Sequence, residues 1–118
     1  MILADTSVWI EHLRKGNSEL QSLLHANEVL THPFIVGELA CGALQNRAEI
    51  LQHLKALPEA RLAEHHEVLQ FIENQQLFGR GIGWVDAHLL ASALLSGCRL
   101  WTLDKPLIAA AKALSISV

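Results

Sequence analysis

The feature that most constrains this chain is a pair of short apolar runs, each ending in an aspartate. Met1–Ala4 stops at Asp5, and Arg99–Leu103 stops at Asp104. Neither run alternates polar with apolar residues. Each therefore reads as a strand buried on both faces, the habit of parallel sheets. Between them the apolar residues recur at helical spacing.

Thr6 and Ser7 offer caps for a short helix over Val8–Leu13, and Gly16 and Asn17 break it. Ser18 opens a second helix with Leu20, Leu23 and Leu24 on one face. Glu28–Thr31 reads as a strand. Pro33 suits the first turn of a helix running to about Gly42, and Arg47–Leu57 is the next helix, ended by Pro58. Arg61–Ala63 reads as a weak strand and His66–Gln76 as a helix. Gly79, Gly81 and Gly83 make a loop before the clearest helix, Val85–Ser96, whose expected buried stripe is Ala87, Leu90, Ala91, Leu94 and Leu95. Gly97 ends it. Pro106–Leu114 is a last helix and Ile116–Val118 a last strand.

Strands alternating with amphipathic helices imply an α/β domain with a parallel sheet and helices on both faces. At 118 residues the chain suits one domain over 1–118. Half of its residues are hydrophobic and 18% are charged, which excludes a disordered chain. The Met1 end has no basic stretch before Asp5, so no signal peptide is read there. The longest apolar stretch, Val85–Leu103, carries Asp86, His88 and Arg99 and does not suit a membrane span. Cytoplasmic residence is the expectation. Cys41 and Cys98 lack the short spacing of a zinc site and are expected to be buried thiols.

In open parallel sheets ligands bind at the carboxyl ends of the strands. Asp5 and Asp104 fall there. Asp86 lies at the start of a helix behind the glycine loop, and Glu38 is the only charged residue between Phe34 and Ala43. Asp5 and Asp86 also suit helix starts, where acids cap free N–H groups. Glu38 suits an exposed helix face, and Asp104 a turn. If all four meet, the clustering needs an explanation. Two carboxylates 4 Å apart repel by about 4 kcal/mol at an effective dielectric of 20. A divalent cation reverses that sign, and carboxylates are the ligands Mg²⁺ and Mn²⁺ prefer. Setting the four acids aside turns the net charge from −3 to +1. The rest of the surface then tolerates a phosphodiester.

Other residues carry weaker signals. His65 and His66, between Glu64 and Glu67, are adjacent on a helix and cannot converge on one ion. His88 faces away from Asp86. Trp9, Trp84 and Trp101 could stack nucleic-acid bases; Trp101, in mid-strand, reads as core, and Trp84 beside the glycine loop is the better candidate. Arg14, Lys15, Arg80 and Lys105 lie near the expected edge and are ordinary solvated cations unless a phosphate meets them. The glycine loop lacks the Gly-Lys-Ser/Thr ending of a phosphate-binding loop.

The segments LADTSVWIEHLR, PFIVGELACG, GRGIGWVDAHLLASALL and LWTLDKPL resemble, in order and spacing, the four motifs of PIN-domain ribonucleases of the VapC toxin type. The resemblance spans nearly the whole chain. It implies a three-layer α/β/α sandwich with a central parallel sheet of four or five short strands. It implies an endoribonuclease that uses Mg²⁺ or Mn²⁺, with Asp5, Glu38, Asp86 and Asp104 as the acidic quartet. Asp5, Asp86 and Asp104 would hold the ion, and Glu38 would act through water; Thr6, Ser7 and Thr102 would support them. It also implies a VapB-type antitoxin that blocks the site, operator DNA bound only through that complex, and a homodimer. Lys105-Pro106-Leu107 follows Asp104, so no fifth acid is evident for a second ion. Two other readings compete. A phosphatase of the haloacid dehalogenase type needs an aspartate where Ser7 stands. A non-catalytic binding module on the same scaffold would not need all four acids.

Overall fold

The computed structural model describes all 118 residues. Its elements are β1 (Ile2–Ala4), α1 (Thr6–Lys15), α2 (Ser18–His25), β2 (Val29–Leu30), α3 (Pro33–Ala40), α4 (Arg47–Ala56), α5 (His65–Gln75), α6 (Trp84–Ser96), β3 (Arg99–Trp101) and α7 (Lys105–Ala113). The sheet has the order β2-β1-β3 and is wholly parallel. The chain leaves β1 toward β2, then crosses back past β1 to β3. Right-handed crossovers in opposite directions place their helices on opposite faces of the sheet. The α/β sandwich follows from this order.

The expected four or five strands reduce to three. The segments beyond contribute one bridge each: Thr31 with Glu59, and Leu100 with Ser117. Both edges are still hydrogen-bonded. Ala60 N donates to Thr31 O at 2.8 Å, and Leu100 N donates to Ile116 O at 2.7 Å. Pro58 has no N–H to donate, which limits pairing on the first edge. The weak strand expected at Arg61–Ala63 is absent, its contact falling at Glu59–Ala60.

The helices begin where side chains satisfy their free N–H groups. Asp5, rather than Thr6 or Ser7, caps α1: its backbone is extended, and its carboxylate accepts from the N–H groups of Ser7 and Val8. Asn17 caps α2, and Asp104 caps α7, accepting from Leu107 N at 3.2 Å. His32 caps α3 through Nδ1, which accepts from Phe34 N at 3.0 Å, with Pro33 in the first turn. Gly97 ends α6 at φ +63°, a left-handed turn that glycine adopts without strain.

One core of 21 buried residues unites the layers, with Leu3, Val8, Ile35, Leu90, Leu100 and Leu107 at its centre. The stripe expected on α6 holds at Ala87, Leu90 and Ala91 but fails at Leu94 and Leu95, which are exposed. The helix turns Leu89, Leu90 and Ala93 into the main core, while Ala87 and Ala91 are covered by Val68 of α5; Leu94 and Leu95 fall outside both contacts. Cys98 is buried, as expected, and burial pushes its thiol upward. Cys41 is exposed instead, because α3 stops at Ala40 and leaves Cys41 in the following turn.

Candidate active site

The crossovers from β1 and β3 diverge at the carboxyl edge of the sheet, which opens a crevice there. Asp5 leaves β1 into this crevice, and Thr102–Asp104 leave β3 into it. Asp5 is 6% exposed. Its Oδ1 accepts from Ser7 N at 3.0 Å and from the Ser7 hydroxyl. Its Oδ2 accepts from Thr102 Oγ1 at 2.7 Å. The two hydroxyls also accept from the loop after β3: Leu103 N donates to Ser7 Oγ and Asp104 N to Thr102 Oγ1, both at 3.0 Å. A buried carboxylate needs this compensation. Ser7 and Thr102 thus hold Asp5 in place and join it to the loop that carries Asp104.

Asp86 approaches from the first turn of α6, where Oδ2 accepts from Gly83 N at 2.9 Å. Its pKa is raised, first by desolvation and then by the charges of Asp104 and Asp5. Both acids are therefore close enough for their charges to be felt. Glu38, exposed on α3, accepts from Thr6 Oγ1 at 2.7 Å, which ties it to the residue after Asp5. Asp5, Asp86 and Asp104 thus gather at one edge, reached from β1, α6 and the loop after β3, and Glu38 approaches it from α3 through Thr6. None of them pairs with a Lys or Arg.

The donor set fits a hard cation, being all carboxylate and hydroxyl oxygen. Asp86, Asp104 and Glu38 each commit one oxygen to a protein donor and keep the other unpartnered. No three Asp, Glu, His or Cys side chains close into a cage around one point. Mg²⁺ keeps several of its waters when bound and does not require such a cage. A cleft of about 530 Å³ opens beside Glu38, between α1, α3 and α4, with Arg14 on its wall.

The remaining candidates separate. His66 pairs with Glu64 in solvent, as expected of a hydrated face. His65 packs against Trp84. His88 is buried between Phe34 and Trp84. Trp9 is buried and Trp101 half-buried, whereas Trp84 remains exposed. Phe34 drew no attention in the sequence, although its position four residues before Glu38 is the signal that places both on one face of α3.

The topology and the acidic crevice define a doubly wound α/β domain built to gather negative charge at its switch point. Residues 2–113 match the PIN domain. The chain belongs to the PIN-domain family, within its VapC group. It is similar to Ribonuclease VapC32 of Mycobacterium tuberculosis in two strains: 49% identical over 111 residues in each, covering 93% of this chain and 90% of theirs. The fold is also that of the crystal structure of PAE2754 from Pyrobaculum aerophilum. There the TM-score is 0.63 at 18% identity, over 95% of this chain and 80% of that one. No helix is long and apolar enough to cross a membrane.

Proposed function

We propose that this chain is the toxin of a toxin–antitoxin pair, an endoribonuclease that hydrolyses RNA phosphodiester bonds with Mg²⁺ or Mn²⁺. One observation carries the reading: Asp5, Asp86 and Asp104, from separate segments, lie close enough for Asp86 to feel the other two charges, and no Lys or Arg is paired to any of them. The similarity to Ribonuclease VapC32 supports it independently.

Asp5, Asp86 and Asp104 would hold the ion. When bound, the ion supplies activation of a water and neutralisation of charge building on the phosphoryl group. The protein does the rest. Thr102 and Ser7 fix Asp5 so that it cannot turn away from the crevice. Gly83 N and Leu107 N orient Asp86 and Asp104. Glu38, steadied by Thr6, has a free oxygen with which to align an attacking water or accept its proton. Attack by water on phosphorus, with the bond to the 3′-oxygen breaking and that oxygen taking up a proton, would leave 5′-phosphate and 3′-hydroxyl ends.

A VapB-type antitoxin is the proposed regulator. The cleft beside Glu38, with Ile10, Leu13, Leu39 and Ile50 on its walls, suits a peptide that would cover the site. A homodimer, operator binding only through the antitoxin complex, and action in the cytoplasm as a single domain over 1–118 complete the proposal.

The test is cleavage of RNA by the purified chain. Activity should require Mg²⁺ or Mn²⁺, stop with chelator, vanish in Asp5→Asn with the fold retained, and leave 5′-phosphate ends. Cleavage that persists in chelator, or products ending in 2′,3′-cyclic phosphate, would overturn it.

A further inference from the structure

Two large aromatic side chains stand exposed near the acidic edge. Phe34 is 37% and Trp84 36% open to solvent, and neither belongs to the 21-residue core. Phe34 lies on the same face of α3 as Glu38, one turn earlier. Trp84 is the first residue of α6. His88 lies buried between them. The Phe34 and Trp84 rings meet it edge-on, with centroids 4.8 and 4.6 Å away and planes steeply inclined at 69° and 83°. His65 supports Trp84 from α5 at 4.9 Å. A strip therefore runs from Glu38 to Phe34, past His88, to Trp84. Phe34 and Trp84 are held by this packing, yet each residue stays over a third exposed.

The chain has a second need that this strip meets. With a net charge of −3, it has no strongly basic footprint to supply affinity through phosphate contacts alone. Stacking of bases on aromatic rings requires no cation and tolerates any base.

We infer that Phe34 and Trp84 form a base-stacking track that seats single-stranded RNA beside the cleavage site. The inference rests on the ribonuclease reading. Trp84 and Asp86 face different sides of α6, so Trp84 takes a base that flanks the scissile bond, and Phe34, one turn from Glu38, takes a nearer one. Both are positioning residues. They hold the strand and touch no reacting atom.

The experiment is equilibrium binding of a labelled single-stranded RNA of about ten nucleotides, long enough to cover site and strip. Chelator is present so that nothing is cut. Phe34→Ala and Trp84→Ala should each weaken binding roughly ten-fold. Phe34→Trp and Trp84→Phe should stay within about two-fold of wild type, because any aromatic ring can stack. RNA should quench the tryptophan fluorescence of the wild-type chain, and Trp84→Phe should lose most of that quenching. This last measurement stands even if the alanine variants fail to fold. Unchanged affinity in both alanine variants, or absent quenching, overturns the track. So does a Trp84→Ala variant that disperses a dimer yet binds RNA as wild type does, because the strip would then seat a second copy. A wild-type chain that binds RNA through these rings but never cuts it would sink the ribonuclease reading and leave the track standing.

Discussion

Thr102 Oγ1 donates to Asp5 Oδ2 at 2.7 Å, joining the ends of two neighbouring strands that lie 97 residues apart in the chain. The same hydroxyl accepts from Asp104 N. Thr102→Val keeps the volume and removes both bonds. It leaves a buried carboxylate oxygen without its donor, so stability should fall by about 1–3 kcal/mol. Urea unfolding measures this, and Thr102→Ser should recover most of the loss. An unchanged midpoint for the valine variant would show that Asp5 does not depend on the bridge.

Asp86 is the acid least comfortable in its ionised form. An acid whose folded-state pKa is raised contributes stability that is fully present below its unfolded value of 3.8 and is lost as pH rises through the folded value. At neutral pH the charge is therefore a liability in the metal-free chain. Asp86→Asn should raise the melting temperature by a few degrees in chelator. Mg²⁺ should stabilise the wild type and have little effect on the variant. Cleavage should fall by about 100-fold or more. Thermal unfolding with and without Mg²⁺ separates the effects, and equal responses to the ion in both proteins would remove Asp86 as a ligand.

Glu38 is oriented by Thr6 rather than by burial. Glu38→Gln keeps that hydrogen bond but removes the carboxylate proposed to accept the proton. Its kcat should drop on the order of 10²-fold or more, with KM little changed. Thr6→Val, which frees Glu38 to swing, should lose about ten-fold. Comparable losses in KM alone would place Glu38 in substrate binding.

His32 gives α3 a pH-dependent start. Its pKa is lowered to about 4 by burial and then by His88. Because Nδ1 accepts from Phe34 N, the proton of the neutral ring sits on Nε2 and points to Ser92 Oγ, 3.1 Å away. A second proton would abolish the cap. The unfolded chain binds that proton first, so stability is full above pH 6.5 and declines as pH falls toward 4. The decline should reach on the order of 2–3 kcal/mol. Urea unfolding at pH 7 and pH 5 reports it, and His32→Asn, which can still cap, should flatten the slope.

Much of the fold was legible because its signals are local. The runs before Asp5 and Asp104 hold strands, the second ending at Trp101 rather than Leu103; Asn17 and Gly97 bound their helices, and the helix spacing from Ser18 through Leu24 holds. Strand count was not legible. Whether Glu59–Ala60 or Ile116–Ser117 pairs over one residue or several depends on the neighbour that receives it. The outward turn of Leu94 and Leu95 was equally hidden, since periodicity does not say which side of an almost wholly apolar helix meets the core, here Leu89, Leu90 and Ala93.

The candidate site divides the same way. Which residues carry charge into apolar segments was plain from the chain alone, and with it that Asp5, Glu38, Asp86 and Asp104 needed an explanation. It took the fold to bring Asp5, Asp86 and Asp104 within reach of one another's charge, to clasp Asp5 between Ser7 and Thr102, and to set Phe34 and Trp84 against His88. Those are contacts between elements far apart in the chain. They are set by strand order and crossover hand, which no local pattern encodes.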